Sequence, residues 1–401
     1  MKKKNLLKND AVQSLLASLG CIVFGLLVGY IVLLFIQPKG AGKAILTIIE
    51  NFFTYNRAET QMKYLGSTLV KTAPLLMCSL SILFAYKVGL FNIGAAGQYV
   101  VGSCASLYAA LAWGWSWLPC MLLAIAAGMA AGAIVGLLKT FCNVNEVISG
   151  IMLNWIFLYA TNMILTNVKE VASPYTYQMH SAALPSLGLD KLFSGNQYVT
   201  IAIPLAILMA ILVWVVLEKT RFGYELKATG FNKHAAKYCG MAERRNTVLT
   251  LAIAGGLAAL GGSLLYQTGY EQWQCTHSSV PNMGFNGICA AFLGGLNPIG
   301  AIFSSFFIQH ITSGGAYVDK SLYCSQISDL ITSIIIYMCG FVLFLKTAMN
   351  NAAARREERQ RLAAESADTA PEAAPASESE QGAGTAPAQA PADSEKGGEA
   401  Q

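Results

Sequence analysis

The chain has 401 residues, of which 54% are hydrophobic and only 12% are charged, and its mean hydropathy is +0.48. This composition excludes an ordinary soluble globular domain and indicates an integral membrane protein with no nucleic-acid partner. The net charge of +5 is uninformative as a sum, because the basic residues are unevenly distributed along the chain.

Successive apolar runs predict an all-α polytopic membrane protein with about ten transmembrane helices. A span needs about 20 apolar residues, and the runs lack the alternation of a membrane β-barrel. The first run is too long for the apolar segment of a cleavable signal, so we interpret it as a retained span. The predicted spans are 15–36, 67–86, 91–112, 117–138, 146–166, 198–217, 247–268, 284–296, 299–317 and 325–346.

The distribution of Lys and Arg predicts the orientation of these spans. With the tail 1–14 in the cytoplasm, 19 of the 27 basic residues fall on the cytoplasmic side, seven of them in the loop 218–246. The positive-inside rule therefore favours cytoplasmic N- and C-termini around a transmembrane domain at 15–346. The segment 347–401 becomes rich in Ala, Glu, Pro, Ser and Gly, which predicts a disordered cytoplasmic tail.

Two similar segments predict that the chain consists of two halves of inverted topology. The third span opens with FNIGAAGQ at 91–98, and the eighth opens with GFNGICAA at 284–291. Counted as five plus five, these spans hold equivalent places and run in opposite directions. Interrupted helices at equivalent places of inverted repeats are typical of a central transport path.

Polar side chains near these interruptions are candidates for contact with a transported ligand. Asn92, Gln98 and Asn286 lie at membrane depth, where amides can bind hydroxyl or carbonyl groups without a buried charge. Asn154, two turns into the fifth span, is a further candidate. Helix packing by small residues is the alternative explanation for the neighbouring Gly and Ala residues. Glu146 and Asp329 begin spans, where an acid interacts favourably with the helix dipole.

Three other segments have two interpretations each. An apolar stripe at 41–53 predicts an interfacial helix on the outer leaflet. The external loop 167–197 could meet an extracellular partner or could be a plain connection. The cytoplasmic loop 218–246 combines basic residues, aromatic residues and glycines. It could dock on a soluble protein or could simply follow the positive-inside rule.

At four places the chain resembles the ABC permease family that serves branched-chain amino acids, ribose and nucleosides. The matching segments are GLFNIGAAGQ at 89–98, NEVI at 145–148 with IMLN at 151–154, GYELKATGFNKHAAKYCGM at 223–241, and GFNGI at 284–288 with LGG at 293–295. The likeness covers about residues 15–346 and is greatest to the longer permease subunit of bacterial nucleoside importers.

The resemblance implies two sets of functional residues. The translocation path would be lined by Phe91, Asn92, Gln98, Asn154, Phe285 and Asn286. The coupling to a cytoplasmic ATPase would involve Glu225, Gly230, Asn232, Ala235, Ala236 and Gly240. The sequence departs from the family at Ala96, where nucleoside members often carry an acid, at His234, where Glu is usual, and at Asn286, where Asp is common.

The resemblance also implies the partners of an importer in the bacterial plasma membrane. These are an ATPase subunit, a second permease in a heterodimer, an extracellular substrate-binding lipoprotein and a small-molecule substrate. Nucleosides are the expected substrates, with ribose-like sugars as the alternative. The chain contains no G-x-x-x-x-G-K-[ST] segment, so it cannot hydrolyse ATP alone.

Two other function classes are alternatives to an importer permease. A self-sufficient secondary transporter would need ion-coupling carboxylates at the midplane, which the spans almost lack. An intramembrane enzyme would have to pair Ser263 with the distant His310. No CxxC or Cys/His spacing predicts a metal site, and no cofactor is expected.

Overall fold

The computed structural model describes residues 10–179 and 182–319, together with scattered positions between 322 and 359, and side chains from residue 20 onward. Regular structure in the described part is helical, apart from isolated β-bridges that pair Lys169 with Thr176 and Tyr175 with Gln274. Five of the described helices are long and apolar enough to cross a membrane, and shorter apolar helices accompany them. The predicted all-α polytopic membrane fold is confirmed.

The helices follow the order predicted from the apolar runs, with additional short helices between them. The first group is α1 (Asp10–Ile36), α2 (Ala41–Glu50), α3 (Ala58–Lys87), α4 (Ala95–Ala112), α5 (Trp117–Cys142) and α6 (Glu146–Leu165). The second group is α7 (Leu189–Leu192), α8 (Ala202–Lys219), α9 (Arg221–Phe231), α10 (Lys233–Tyr238), α11 (Glu243–Gln267), α12 (Met283–Leu293) and α13 (Pro298–Gly314).

Helices α3 and α11 form the centre of the described domain. In their most apolar 18-residue windows, 89% of α3 and 83% of α11 are buried, against 39% or less for α5, α6 and α8. A helix that is apolar on all sides and also buried belongs to the interior of a helical assembly. The exposed apolar faces of α5, α6 and α8 are therefore the surfaces available to lipid or to other membrane subunits.

The packing of α3 and α11 supports the predicted pair of related halves. Helix α11 packs against α4 and α5 of the first half, whereas α3 packs against α12 and α13 of the second half. The two central helices also contact each other. Small residues allow the closest of these approaches. A Cβ on Gly132 of α5, for example, would lie 2.0 Å from the Leu251 carbonyl oxygen of α11.

Several helix boundaries differ from the hydropathy prediction. Helix α3 begins at Ala58 rather than 67, because its first turns are polar and a hydropathy scan detects only the apolar part. Helix α4 begins at Ala95 rather than 91, since residues 88–94 form a loop. Helix α12 ends at Leu293 rather than 296, and a tight turn with Leu296 at a φ of +55° follows.

The predicted interfacial helix at 41–53 is partly correct. Helix α2 and the 3₁₀ turn Asn51–Thr54 form there, but Ile48 and Phe52 are buried against protein, not presented to lipid. The Asn51 amide donates to the His310 carbonyl of α13 at 2.8 Å, and the His310 ring lies 5.3 Å from Phe52. His310 is thus an interhelical hydrogen-bonding residue.

The start of α6 matches its predicted structural role. Asn145 caps the helix by accepting a hydrogen bond from the Val147 amide at 2.8 Å. Glu146 forms an ion pair with Lys139 at the end of α5. This pairing and capping explain Glu146 without any contact to a ligand.

The C-terminal predictions lie largely beyond the described part of the chain. Asp329 and most of the predicted tenth span 325–346 lie outside the described residues. The positions described between Thr347 and Arg359 are helical, and 361–401 lie outside the described residues.

Candidate functional site: the α4–α12 crossing and the α9–α10 element

A pair of buried amides closes the loop that precedes α4. The Asn92 amide nitrogen donates to Gln98 Oε1 at 2.8 Å, and the Gln98 amide nitrogen donates back to Asn92 Oδ1 at 3.2 Å. Asn92 also donates to Ser81 Oγ of α3 at 3.0 Å. Both amides are at most 2% exposed, so they are already paired within the chain. In this conformation their hydrogen bonds hold the start of α4 against α3.

Asn154 joins α6 to the same loop. Its Oδ1 accepts a hydrogen bond from the Gly97 amide at 2.7 Å, and its Nδ2 donates to the Ile93 carbonyl at 3.1 Å. A Cβ on Gly97 would lie 2.6 Å from Asn154 Oδ1, so this contact requires glycine. The first four amides of a helix lack partners within that helix, and Asn154 satisfies one of them. Sequence reasoning identified Asn154 but not this partner.

Helix α12 crosses α4 at the same place. A Cβ on Gly284 would lie 2.4 Å from the Ala96 Cα, and a Cβ on Gly287 would lie 2.8 Å from the Cys78 Cβ of α3. The crossing brings the two similar segments, 91–98 and 284–291, into direct contact. Ala96 has no room for the acid that nucleoside members of the family often carry there, because Gly284 packs directly against it.

The predicted path residues therefore divide into two groups. Asn92, Gln98 and Asn154 are buried beside the crossing, and each forms hydrogen bonds with other residues of the chain. Phe285, by contrast, is 38% exposed on α12, and both Phe91 and Asn286 are half-buried. The Asn286 side-chain amide has no hydrogen-bond partner in the described part of the chain. These three side chains are thus only partly covered by the rest of the described chain. Ser81, which anchors Asn92, gave no signal in the sequence.

The element formed by α9 and α10 is built by local capping. Asn232 ends α9 and caps α10 by accepting from the Ala235 amide at 3.0 Å. Gly240 has a φ of +80°, the left-handed conformation that ends a helix and favours glycine. Ala236 is buried, whereas Ala235 is exposed and Glu225 is half-buried.

This element is packed directly on the loop between α3 and α4. A Cβ on Gly230 would lie 2.5 Å from the Val88 carbonyl carbon, and one on Gly89 would lie 3.0 Å from the Gly230 carbonyl oxygen. Thr229 Oγ1 accepts a hydrogen bond from the Asn246 amide of α11 at 3.0 Å. The element thus contacts both central helices. On one side it touches Val88, four residues before Asn92. On the other side it touches the first turn of α11.

The outer face of the α9–α10 element is aromatic and basic. Phe231 and Tyr238 are each 92% exposed, which is unusual for large rings in a folded protein. Lys233, His234 and Lys237 are exposed between them. Exposed aromatic rings surrounded by basic residues are typical of a surface that a partner protein covers.

A cavity of about 430 Å³ opens beside the ends of α3 and α8. Its lining consists of Lys87, Trp214, Glu218, Lys219, Leu296, Asn297 and Pro298. The charge distribution predicts a cytoplasmic location for all of these segments, and they do lie together. Within the described residues, no group of three or more His, Cys, Asp and Glu side chains could hold a metal ion.

Comparison with known proteins identifies the family. Residues 64–340 match the model of the branched-chain amino acid transport system permease component. The chain belongs to this permease family. The match contains the α4–α12 crossing and the α9–α10 element, and permeases of this kind act with an ATPase and a substrate-binding partner. No solved structure matches the permease.

Three relatives show the range of the family. The permease is 33% identical to the guanosine ABC transporter permease protein NupP of Bacillus subtilis over 282 residues, which cover 69% of this chain and 80% of that protein. It is 30% identical to the nucleoside ABC transporter permease protein NupB of Lactococcus lactis, over 86% of this chain and 96% of that one. It is 28% identical to the glucose ABC transporter permease protein TsgB13 of Haloferax volcanii, over 65% and 72% of the two chains.

Proposed function

We propose that this permease forms the path for nucleosides in an ATP-driven importer of the bacterial plasma membrane. The observation that carries the proposal is the backbone contact of Gly230 with Val88 and Gly89. It links an exposed cytoplasmic surface to the loop that begins α4. A displacement of α9 and α10 would therefore also move Val88 and Gly89. These lie only a few residues before the Asn92–Gln98 pair.

Nucleosides are the proposed substrates for two reasons. Two relatives that are at least 30% identical are named guanosine and nucleoside permeases. The predicted path residues that keep exposed surface are two phenylalanines and one neutral amide, Asn286. Aromatic rings can stack on a base, and an amide can bind hydroxyl or carbonyl groups, so this set suits a neutral ring with polar substituents.

The proposed ATPase site is the outer face of α9 and α10. Glu225, Gly230, Asn232, Ala235, Ala236 and Gly240 are the proposed coupling residues. In this arrangement Gly230, Asn232 and Gly240 shape the element, and exposed Ala235 leaves room for close approach by the ATPase. Phe231 and Tyr238 would be covered by the same partner, which accounts for their exposure in the isolated chain.

The proposed second permease subunit would cover the free face of α6. Helix α6 is only 33% buried in its most apolar window. Its exposed large residues include Met152, Trp155, Ile156, Tyr159 and Met163. The likeness to the longer subunit of two-permease importers favours a heterodimer. An extracellular substrate-binding lipoprotein and two cytoplasmic termini complete the proposed arrangement.

The test is uptake of radiolabelled guanosine, adenosine, uridine and ribose by cells with the gene deleted and then restored. A restored strain carrying Ala235→Asp places a charge on the exposed face of α10 without disturbing a buried contact. The matched control is Ala58→Asp, which places the same charge on an exposed residue at the opposite end of α3. Membrane levels of each variant are measured by immunoblotting.

We expect nucleoside uptake to require the gene and to be lost with Ala235→Asp, but not with Ala58→Asp. Loss of ribose uptake alone would make this a sugar permease, a possibility that the glucose-permease relative raises. Normal uptake by a fully expressed Ala235→Asp protein would contradict coupling through α10. It would instead favour a secondary transporter.

A further inference from the structure

An ion pair lies inside the predicted second span, at a position that sequence reasoning did not single out. Lys71 Nζ of α3 lies 2.8 Å from Glu271 Oε1, just after the end of α11. The lysine side chain is 31% exposed and the glutamate side chain 39% exposed. Residues next to Lys71 on α3, including Val70 and Thr72, are buried. Only one side of the ion pair is therefore exposed, and that side lies between the two central helices.

The depth of this pair determines what that surface faces. Lys71 precedes the cytoplasmic end of α3, Lys87, by sixteen residues. At 1.5 Å per residue this is about 24 Å, less than the roughly 30 Å of the hydrocarbon core. Ionised side chains at such depth face a water-filled cavity or the protein interior, because exposure to lipid is costly. The exposed side of the pair consequently faces water at the outer end of the transport path.

Tyrosine rings flank the ion pair on the same side. Lys71 Nζ lies 5.2 Å from the centre of the Tyr270 ring, and Tyr270 contacts Tyr198 edge to face at 5.3 Å. Both tyrosines are half-buried, so each keeps part of its ring accessible. A second group lies at the same end of the molecule, where Tyr55 and Tyr64 stack at 4.6 Å beside Tyr317.

This combination of groups suits one class of ligand. A carboxylate accepts hydrogen bonds from the vicinal hydroxyls of a ribose, and a lysine donates to their oxygens. Tyrosine rings stack on a planar base. An ion pair that already satisfies part of the carboxylate leaves lone pairs on its second oxygen for a ligand.

We propose that Lys71, Glu271, Tyr198 and Tyr270 form a binding site for a ribonucleoside at the outer end of the path. The vicinal ribose hydroxyls bind the Glu271 carboxylate, and the base lies against the accessible parts of the two tyrosine rings. This site is separate from the α4–α12 crossing, and it would receive the ligand before the crossing opens. The inference rests on the proposed nucleoside transport and specifies how the ribose is recognised.

The test compares a ribonucleoside with its 2′,3′-dideoxy analogue in uptake assays on the complete importer. Glu271→Gln keeps the shape of the side chain but weakens its acceptor. We expect it to lower guanosine uptake at subsaturating concentration by about tenfold, the ratio that one charge-assisted hydrogen bond typically contributes. Uptake of the dideoxy analogue should fall far less, because that analogue lacks both of the vicinal hydroxyls that the carboxylate would bind. Glu59→Gln, an exposed acid near the outer end of α3, is the matched control and should leave both rates unchanged.

A purely structural ion pair gives a different result. The double variant Lys71→Glu, Glu271→Lys re-forms the ion pair with its charges reversed. If the pair were purely structural, this double variant would restore uptake of both ligands. We expect no such rescue for guanosine, since the carboxylate has moved to α3. Equal loss of both ligands in Glu271→Gln, rescue by the double variant, or no loss at all would each overturn the site.

The tyrosines provide a second readout. Tyr270→Phe keeps the ring, and Tyr270→Leu removes it. We expect the leucine variant to raise the KM for guanosine several-fold, while the phenylalanine variant retains the KM of the wild type. Equal KM values in the leucine variant and the wild type would remove Tyr270 from the site. If the wild type imports no nucleoside, the proposed function has failed, which the unmodified strain shows before any variant is compared.

Discussion

Gly230 of the α9–α10 element and Val88 at the end of α3 are in backbone-to-backbone contact. A Cβ at residue 230 would lie 2.5 Å from both the carbonyl carbon and the carbonyl oxygen of Val88. No side-chain rotation can relieve such an overlap, because the obstructing atoms belong to the main chain. The contact fixes α9 against the loop that leads to Asn92.

The substitution Gly230→Ala should therefore uncouple the α9–α10 element from α4. Overlap with backbone forces α9 away from the loop, at a cost of about 1–3 kcal/mol. We expect nucleoside uptake to fall by more than tenfold while the protein still reaches the membrane. Gly42→Ala is the control, since a Cβ on this helical glycine of α2 meets nothing within 4 Å. Wild-type uptake by Gly230→Ala would show that the contact is dispensable.

Gly284→Ala should impair the α4–α12 crossing, and no compensating change at residue 96 should rescue it. The added Cβ would lie 2.4 Å from the Ala96 Cα and 2.6 Å from the Ala96 nitrogen, atoms that Ala96→Gly retains. We expect both the single and the double variant to show reduced uptake and a lower Tm in detergent. Rescue by Ala96→Gly would mean that side-chain bulk, not backbone proximity, sets the crossing.

The reciprocal pair of Asn92 and Gln98 predicts non-additive effects on stability. Gln98→Leu leaves Asn92 Oδ1 buried without its donor, which costs about 1–3 kcal/mol. Asn92→Leu leaves both Gln98 Oε1 and Gln98 Nε2 without their hydrogen-bond partners on Asn92. The double variant removes both partners and should lower the Tm by clearly less than the sum of the two single variants. Additive decreases in Tm would show that the amides are not paired in the folded protein.

The segment between α11 and α12 should be sensitive to acid through His277. Its ring lies 5.3 Å from the buried Trp273, and its carbonyl accepts from the Asn162 amide at 2.8 Å. Burial lowers the pKa of His277 below its ordinary value of 6.5, and the charge of Glu271 offsets this in part. The unfolded chain then binds the proton more readily, so stability is lost as the pH falls below 6.5.

The check on His277 is the Tm between about pH 7.5 and pH 5.5. The wild type should lose more Tm over this interval than His277→Gln, which cannot be protonated in the same range. Carboxylates elsewhere titrate in both proteins, so only the difference between them reports on His277. Identical losses in the two proteins would contradict the prediction.

The sequence predicted the architecture well because spans in a membrane require long apolar runs, and the charge distribution separates the loops between them. It also located the two segments that meet at the crossing, since interrupted helices leave a recognisable run of Gly, Ala and Asn. Helix starts such as Ala58 were missed because polar turns beyond the apolar run are invisible to hydropathy.

The roles of individual side chains were harder to predict. Asn92 and Gln98 are polar at membrane depth, but only the coordinates show that they bind each other. Lys71 was recognisable as a lysine within a predicted span, whereas its partner Glu271 lies 200 residues further along the chain. Contacts between distant segments depend on how the helices cross, and a single sequence does not encode those angles in any local pattern.

The exchange of packing partners between the two halves has a consequence for biogenesis. Helix α3 is inserted early, yet it obtains much of its burial from α11, α12 and α13, which are synthesised much later. Until those helices arrive, Lys71 lacks Glu271 and the buried hydroxyls of α3 lack their final surroundings. A nascent chain that stops before Glu243 thus lacks the helices that pack against these faces of α3. The packing of this central helix is complete only after α11, α12 and α13 have been synthesised.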